Sequence, residues 1–312
     1  MNCMSKKLTI IIPVYNESSN IFRVVSEISK VTIPYPYEIL FINDGSTDDT
    51  ELVLKEIACT KKHVFFISFV RNYGHQMALK AGMDAATGDG VISMDGDLQH
   101  PPSLIPLLIR KWEEGFDIVI TKRQDHKNIP FMKKAMSALF YKVINALSSA
   151  HISYGEADFR FLDKKVVAVF KKIHEPDLFW RGMVRWVGFK STEVSYQAEE
   201  RFKGESKYTF KKMVSLALNG ILSFSTKPLY FSIYVGFGCA FTSILVFIYV
   251  LISFFSNRVV PGWTSTLIIM SFFSGVQLVL IGIIGLYIGK LFVQVKDRPL
   301  YIINESTYGN AD

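Results

Sequence analysis

The chain of 312 residues is 49% hydrophobic and 20% charged, which excludes a disordered protein and leaves material for a sizeable core. Its net charge of +7 admits nucleic acid, an anionic lipid surface or a phosphorylated substrate as a partner. The cysteines at positions 3, 59 and 239 have no metal-type or disulfide-type spacing, which fits a reducing compartment. The first apolar run breaks at Pro13 after about five residues, too short for a signal-peptide core, so we expect the N-terminal domain in the cytoplasm.

From Leu8 to Thr121, short apolar runs rich in β-branched residues alternate with helical patterns. This alternation is typical of repeated βαβ units and predicts an α/β domain with a mostly parallel sheet, which we assign to residues 1–206. The predicted strands are Leu8–Val14, Tyr37–Ile42, Val64–Phe69, Gly90–Met94 and Asp117–Thr121. The predicted helices are Ser18–Lys30, Thr47–Ala58, His75–Ala86 and Ser103–Glu114.

Polar segments follow the first four predicted strands, and they read PVYNES, NDGSTDD, RNYGHQ and DGDLQHPP. In open sheets of parallel strands, ligands bind beyond the carboxyl ends of the strands. We therefore expect these four segments to form one site.

The fourth segment carries two carboxylates, Asp95 and Asp97, separated by one residue. With the amide oxygen of Gln99 they suit a hard, oxygen-seeking cation such as Mg²⁺ or Mn²⁺ that bridges diphosphate oxygens. The sequence therefore predicts a divalent metal site after the fourth strand.

The second segment begins with Asp44 at the end of a strand, and Gly45 permits a tight turn before a helix capped by Ser46 or Thr47. An ordinary strand-to-helix turn would use the same residues. A functional role is favoured because the segment after the first strand could form the opposite wall of a pocket for a base and a ribose. We expect that wall to consist of Pro13, Tyr15 and Glu17.

Two uncharged runs, 229–255 and 263–289, are each longer than the roughly 20 residues needed to cross a bilayer. They predict a two-helix transmembrane hairpin over residues 229–295, against the alternative of two helices buried in a soluble core. Lysines and arginines concentrate before the first run and after the second, so we expect both termini, including a tail of residues 296–312, to be cytoplasmic. Residues 207–228 place basic side chains before an apolar face, which predicts an interfacial amphipathic helix or, alternatively, a core helix.

Taken in order, six motifs resemble those of the family 2 inverting glycosyltransferases, which have the GT-A fold, a Rossmann-like architecture. The motifs are IIPVYNE, NDGSTDD, RNYGHQMALKAGMDAATGD, MDGDLQHPP, ADFRFL and RFKGESKY. Within that family the chain is most similar to the polyprenyl-phosphate sugar transferases, namely bactoprenol glucosyltransferases and dolichyl-phosphate mannose synthase. The resemblance extends over the hairpin and the trailing KDRPLYII segment.

This resemblance implies inverting transfer of a sugar from a nucleotide-sugar to a polyprenyl phosphate such as undecaprenyl phosphate, for modification of cell-surface glycans such as O-antigen. It implies a multi-pass protein of the bacterial inner membrane. Glucose from UDP-glucose is the first expectation, and mannose, N-acetylglucosamine and aminoarabinose-type sugars remain open. A homo-oligomer is compatible with the sequence, which does not predict one.

The resemblance also implies roles for individual residues. The donor would be bound by Pro13, Tyr15, Glu17, Asp44, Asp95, Gly96 and Arg123, and the metal by Asp95, Asp97 and Gln99. The catalytic residues would be Asp97, Asp158, Arg201 and Lys207, of which the last two would close over the donor and the acceptor phosphate. Many members have two aspartates where this chain has Asn43 and Asp44, so only Asp44 receives the nucleobase role.

Three alternatives remain open at this stage. Asp158 is a candidate general base, a residue that orients the acceptor, or the partner of a structural ion pair with Arg160. His75 and His100 have no spacing that indicates a metal site or a triad, and we expect them near the pocket without a chemical role.

A processive polysaccharide synthase is a rival function, but the segment RGMVRW (Arg181–Trp186) lacks the glutamine of the QxxRW motif and only two spans are predicted. A non-catalytic membrane scaffold is the other rival. Binding of nucleic acid is disfavoured because the basic residues cluster beside the apolar runs.

Overall fold

The structure is a computed structural model that describes residues 6–124, 155–176, 178–197, 226–256 and 262–309. Arg201, Lys207 and nearly all of the predicted interfacial helix lie outside the described residues. The strands are β1 (Leu8–Val14), β2 (Tyr37–Asn43), β3 (Val64–Phe69), β4 (Gly90–Ser93), β5 (Ile118–Gln124), β6 (Glu156–Asp163), β7 (Ser191–Gln197) and β8 (Ile303–Ser306). The helices are α1 (Ile21–Ser29), α2 (Thr50–Thr60), α3 (His75–Ala85), α4 (Ile105–Glu113), α5 (Lys164–Lys171), α6 (Trp180–Trp186), α7 (Lys227–Phe255) and α8 (Trp263–Val295).

The strands form one sheet in the order β7-β5-β6-β4-β1-β2-β3-β8. Strands β1 to β4 are parallel to one another, and β5 pairs with β7 in parallel. β1 is buried along its whole length, as expected of a central strand covered on both faces. The prediction of a mostly parallel α/β sheet is confirmed.

Helices cover both faces of the sheet. The apolar sides of α1, α2 and α4 pack into one buried cluster, and those of α3, α5 and α6 pack into a second. The predicted strands and helices agree with the observed ones to within a few residues. The predicted N-cap of α2 is wrong: the helix begins at Thr50 and its N-cap is Asp49. Ser46 and Thr47 do not cap it because they form hydrogen bonds with Asn16, in the segment after β1.

β6 is one of three strands, with β7 and β8, that the sequence did not predict. It lies between β4 and β5 and runs antiparallel to both, with Arg160 opposite Ser93 and Ile120. Because of this reversal, its first residues lie at the edge where its neighbours end. Asp158 is thereby brought to the carboxyl edge of the sheet.

α7 and α8 are long and apolar enough to cross a membrane: their candidate spans are Lys227–Val250 and Ile268–Val295, with mean hydropathies of 2.1 and 2.2. Their apolar side chains are largely exposed, which is the expected state of helices that face lipid. The two helices are therefore those of a membrane-associated protein.

The segment after α8 returns to the sheet of the N-terminal domain. Residues Ile303–Ser306, which the sequence analysis treated as a tail, form β8 and pair antiparallel with β3. The eighth strand of the sheet therefore comes from beyond the hairpin.

Candidate active site

A cleft of about 220 Å³ opens at the carboxyl edge of the sheet. It is formed by the ends of β1 and β2, the loop after β3 and the first turn of α3. Its lining residues are Pro13, Val14, Tyr15, Asp44, Asn72, Gly74, His75 and Ala78. Three of the predicted donor-binding residues, Pro13, Tyr15 and Asp44, therefore share one cleft.

The loops after β1 and β2 are bonded to each other. Asn16 adopts a left-handed conformation with φ of 55°, which asparagine tolerates better than most residues. Its side-chain oxygen accepts a hydrogen bond from the Thr47 backbone N–H at 2.8 Å, and its own N–H donates to Ser46 Oγ at 2.9 Å. Glu17, although predicted to face the donor, accepts a hydrogen bond from Asn20 and is not among the lining residues of the cleft.

Asp44 connects the end of β2 to the loop after β3. Its buried carboxylate accepts hydrogen bonds from the backbone N–H groups of Tyr73 at 2.7 Å and Gly74 at 2.9 Å. Burial raises the pKa of Asp44 above its ordinary value, and the two N–H donors oppose that shift. Gly45 follows with φ of 64°, and a Cβ there would lie 2.2 Å from the backbone carbonyl carbon of Arg71. Only glycine fits this close approach.

The acidic loop after β4 is a compact turn. Leu98 adopts a left-handed conformation with φ of 58°, a strained state for a residue with a side chain and one that clusters at functional sites. Within the turn, Asp97 Oδ1 accepts a hydrogen bond from the Gln99 N–H at 3.1 Å. Gly96 packs against the end of β1, where a Cβ would lie 3.0 Å from Val14 Cγ1. The loop therefore sits directly against the strand that ends at the cleft.

Two buried side chains hold this loop from behind. His100 stacks on Phe159 with centroids 5.4 Å apart, and its Nδ1 accepts a hydrogen bond from the Asp95 N–H at 3.2 Å. The Gln99 side-chain oxygen accepts a hydrogen bond from Arg123 at 3.3 Å. The oxygen that the sequence analysis offered to a metal is therefore engaged by the arginine predicted to face the phosphates.

Asp158 is the centre of a charged cluster. Its carboxylate pairs with Arg160 through Oδ1, and its Oδ2 lies 3.3 Å from Arg181 and 3.7 Å from His75 Nε2. Burial alone would raise the pKa of Asp158, but Arg181, His75 and Arg160 together hold it well below its ordinary value. Asp158 is therefore an ionised carboxylate at neutral pH.

Arg160 is committed to the interior. It is buried and also donates to the backbone oxygens of Ala157 and Trp180 at 3.2 and 3.4 Å. Of the two arginines beside Asp158, Arg181 is the partly exposed one. The ion pair of Asp158 with Arg160 exists, but it is only one part of the cluster.

His75 joins this cluster to the acidic loop. Its Nε2 lies 3.7 Å from Asp95 Oδ1 and the same distance from Asp158 Oδ2. Burial lowers the pKa of His75, but the negative charges of Asp158 and Asp95 outweigh that effect, and the net shift is upward. The sequence predicts no chemical role for His75, and Arg181 stands there only within the motif of a rival function. Their contacts join the first turns of α3 and α6 to β6 and to the loop after β4, so no local spacing could have indicated them.

Among the described residues, no group of three or more His, Cys, Asp or Glu side chains could hold a metal alone. A cation at Asp95 and Asp97 would need further oxygen ligands from a bound diphosphate, which is how Mg²⁺ is commonly bound. Both side chains are carboxylates that reach solvent, so the donor set fits a hard divalent cation.

The sheet, the cleft and the acidic pair at the carboxyl edge are those of a GT-A fold, and the comparisons with known proteins identify the chain as a glycosyltransferase. The family model described as "Glycosyl transferase family 2" matches residues 9–170, and the chain belongs to that family.

Two relatives match over nearly their full length. The chain is 41% identical to the SfII prophage-derived bactoprenol glucosyl transferase of Shigella flexneri, over 97% of this chain and 99% of that protein. It is also 41% identical to the uncharacterized glycosyltransferase YkcC of Bacillus subtilis (strain 168), over 96% of this chain and 94% of that protein. A solved structure of glucosyl-3-phosphoglycerate synthase from Mycobacterium tuberculosis superposes with a TM-score of 0.47 and 18% identity, over 70% of this chain and 76% of that one.

Proposed function

We propose that the protein transfers glucose from UDP-glucose to a polyprenyl phosphate such as undecaprenyl phosphate, with inversion at the anomeric carbon. The observation that carries this proposal is the 41% identity to a bactoprenol glucosyl transferase that includes the apolar hairpin as well as the catalytic domain. A lipid-linked acceptor would explain the hairpin, because the acceptor phosphate lies at a membrane surface and the hairpin would hold the enzyme there. The product would be a lipid-linked sugar for glycan modification.

In the proposed donor complex, the cleft takes the nucleotide. Tyr15 is exposed at its rim, where its ring can stack on a base, and Asp44 and Pro13 form the walls. The sugar and diphosphate then extend towards Asp95 and Asp97. Arg123, held by Gln99, is close enough to that loop to contact the phosphates, and a planar guanidinium suits two phosphate oxygens at once.

The metal in this proposal is Mg²⁺ or Mn²⁺ bound to Asp95 and Asp97. When bound, it supplies electrostatic stabilisation of the departing diphosphate. Gln99 is better assigned to positioning Arg123, because its side-chain oxygen already accepts a hydrogen bond from that arginine.

Asp158 has the properties of a positioning residue in this reaction. A general base works best with a pKa near the operating pH, whereas the pKa of Asp158 is held well below its ordinary range. A polyprenyl phosphate is already an anion and needs no base to become a nucleophile. Asp158 would instead orient Arg181 and His75, so that Arg181 faces the incoming phosphate together with Arg201 and Lys207.

The proposed membrane arrangement has α7 and α8 crossing the bilayer and the catalytic domain in the cytoplasm. The pairing of β8 with β3 supports one part of it: only residues 296–302 separate the end of α8 from β8. With so short a connection, the C-terminal end of α8 would lie on the same side of the membrane as the catalytic domain. The C-terminal segment and the active site would therefore share one compartment.

The test is transfer of radiolabelled sugar from a panel of UDP- and GDP-sugars to undecaprenyl phosphate by purified full-length protein, with and without Mg²⁺ or Mn²⁺. The proposal predicts a metal-dependent glycolipid with UDP-glucose as the preferred donor. A growing polymer would indicate a processive synthase, and absence of product with every donor from a folded protein would indicate a scaffold.

A further inference from the structure

Residues 300–308, which we call the return segment, follow the second membrane helix and pack along β3. Tyr301 stacks on Phe69 with centroids 5.1 Å apart and planes at 17°, and its hydroxyl donates to Asp84 of α3 at 2.9 Å. The Ile302 backbone oxygen accepts a hydrogen bond from the Val70 N–H at 3.2 Å. The return segment therefore meets the point where β3 gives way to the cleft loop.

That loop, residues 70–74, forms one wall of the cleft through Asn72 and Gly74. It contributes little to the core, since Val70 is 51% exposed and Arg71 and Asn72 are exposed as well. Its position therefore depends on what it contacts on either side.

On the cleft side the loop is held by Asp44 and by the close approach of Gly45 to Arg71. On the opposite side Tyr73 packs edge-on against Phe69, with centroids 5.7 Å apart, and Phe69 in turn stacks on Tyr301. The hydrogen bond from Val70 to Ile302 fixes the first residue of the loop. The return segment thus buttresses the loop from behind, and through Asp84 it also contacts the helix that begins with His75.

We propose that Tyr301 is a positioning residue of the donor site, which holds loop 70–74 in the conformation that binds the nucleotide. This inference rests on the proposed use of the cleft for a nucleotide-sugar. The donor site is in this account incomplete without a segment that lies beyond both membrane helices.

Tyr308 provides a matched control at the other end of the same segment. Its ring packs edge-on against Phe65 at 5.3 Å, and its hydroxyl bonds Glu38 and Thr87. Both tyrosines are half-buried and hydrogen-bonded to a carboxylate. The partners of Tyr308 given above, however, lie outside loop 70–74. Loss of either ring should weaken the docking of the segment, and only loss of Tyr301 should disturb the cleft.

The experiment measures the Kd of UDP by titration calorimetry in Mn²⁺ with purified full-length protein, beside the KM for UDP-glucose in the transfer assay. Tyr301→Ala should raise both constants about threefold to tenfold, the range expected for loss of an aromatic pair. Tyr301→Phe, which keeps the ring, and Tyr308→Ala should stay within about twofold of wild type by the same reasoning. Tyr301→Leu keeps apolar volume without the ring and serves if the alanine variant does not fold.

Each outcome is decisive. An unchanged Kd for UDP in Tyr301→Ala or Tyr301→Leu, or an equal rise in Tyr308→Ala, overturns the positioning role of Tyr301. If wild type binds UDP and the variants follow the expected order but no donor yields a glycolipid, the inference stands and the proposed transfer fails. If wild type does not bind UDP, both the positioning role of Tyr301 and the proposed transfer from UDP-glucose are wrong.

Discussion

The two halves of the proposed active site, the nucleotide half and the reacting half, are built differently. The half proposed to bind the nucleotide is a cleft whose loops are joined by hydrogen bonds from backbone N–H groups to side chains, as between Thr47 and Asn16 or between Gly74 and Asp44. The reacting half is a dense charged cluster in which Asp158 contacts Arg160, Arg181 and His75. We therefore expect donor binding in the first half to depend on shape and chemistry in the second to depend on charge.

This difference predicts that substitutions in the two halves should affect different kinetic quantities. A change in the cleft should weaken donor binding and leave turnover at saturation nearly intact, whereas a change in the cluster should do the reverse. The predictions below test this separation.

The largest effect is expected at the acidic loop. Asp97→Ala should lower turnover at least about a hundredfold to a thousandfold, because charge on the leaving diphosphate would lose its stabilisation. The protein should remain folded and membrane-bound, which detergent extraction and gel filtration can establish. Asp49→Ala is the control, since Asp49 is exposed and its carboxylate makes no capping hydrogen bond within the described chain. Near-normal transfer by the Asp97 variant would refute the metal assignment.

A smaller effect is expected on the opposite wall. Tyr15→Ala should raise the KM for UDP-glucose about tenfold with little change in turnover, because a base stacked on an aromatic ring gains roughly 1–3 kcal/mol. Phe22→Ala removes an equally exposed aromatic ring, 47% against 46%, from a position outside the cleft. Steady-state kinetics of the two variants decides the matter, and equal behaviour would show that Tyr15 does not contact the base.

The smallest effect concerns pH and stability. Because the folded-state pKa of His75 is raised, its stabilising contribution is present below the unfolded value of about 6.5 and is lost as pH rises through the folded pKa. His75→Gln should therefore flatten the fall in Tm between pH 6 and 9 in metal-free protein.

His63 gives the opposite sign in the same measurement. Burial lowers its pKa, so its presence makes stability rise with pH up to the unfolded value of about 6.5, and His63→Gln should remove that rise on the acid side. Identical pH profiles for wild type and His75→Gln would contradict the placement of His75 between two carboxylates.

The parallel half of the sheet could be predicted from sequence, because β1 to β4 are separated by helices with a clear apolar period. Because the ends of these strands could be predicted, the sequence also predicted that Tyr15, Asp44, Asp95 and Asp97 lie at one edge of the sheet. β6 could not be predicted in this way, because apolar alternation does not specify strand direction. The reversal is what brings Asp158 to the site.

β8 escaped prediction for a different reason. The strand has only four residues, INES, and half of its side chains face away from the core, so it carries little apolar signal. It forms because β3 offers an open edge and because the tyrosines on either side of the strand, Tyr301 and Tyr308, find partners on the catalytic domain. Long-range contacts of this kind are invisible to local pattern.

The division between the two halves is tested most directly by Asp158→Asn, with Glu156→Gln as control. Glu156 lies two positions away on β6 and is also buried and paired with an arginine, Arg185, so both variants remove one buried charge. The measurement is the Kd of UDP beside the turnover number of each purified variant. The account predicts that Asp158→Asn binds UDP within about twofold of wild type while turnover falls about a hundredfold through misplaced reacting groups, and that Glu156→Gln retains both. A parallel loss of UDP affinity and turnover in Asp158→Asn would contradict it.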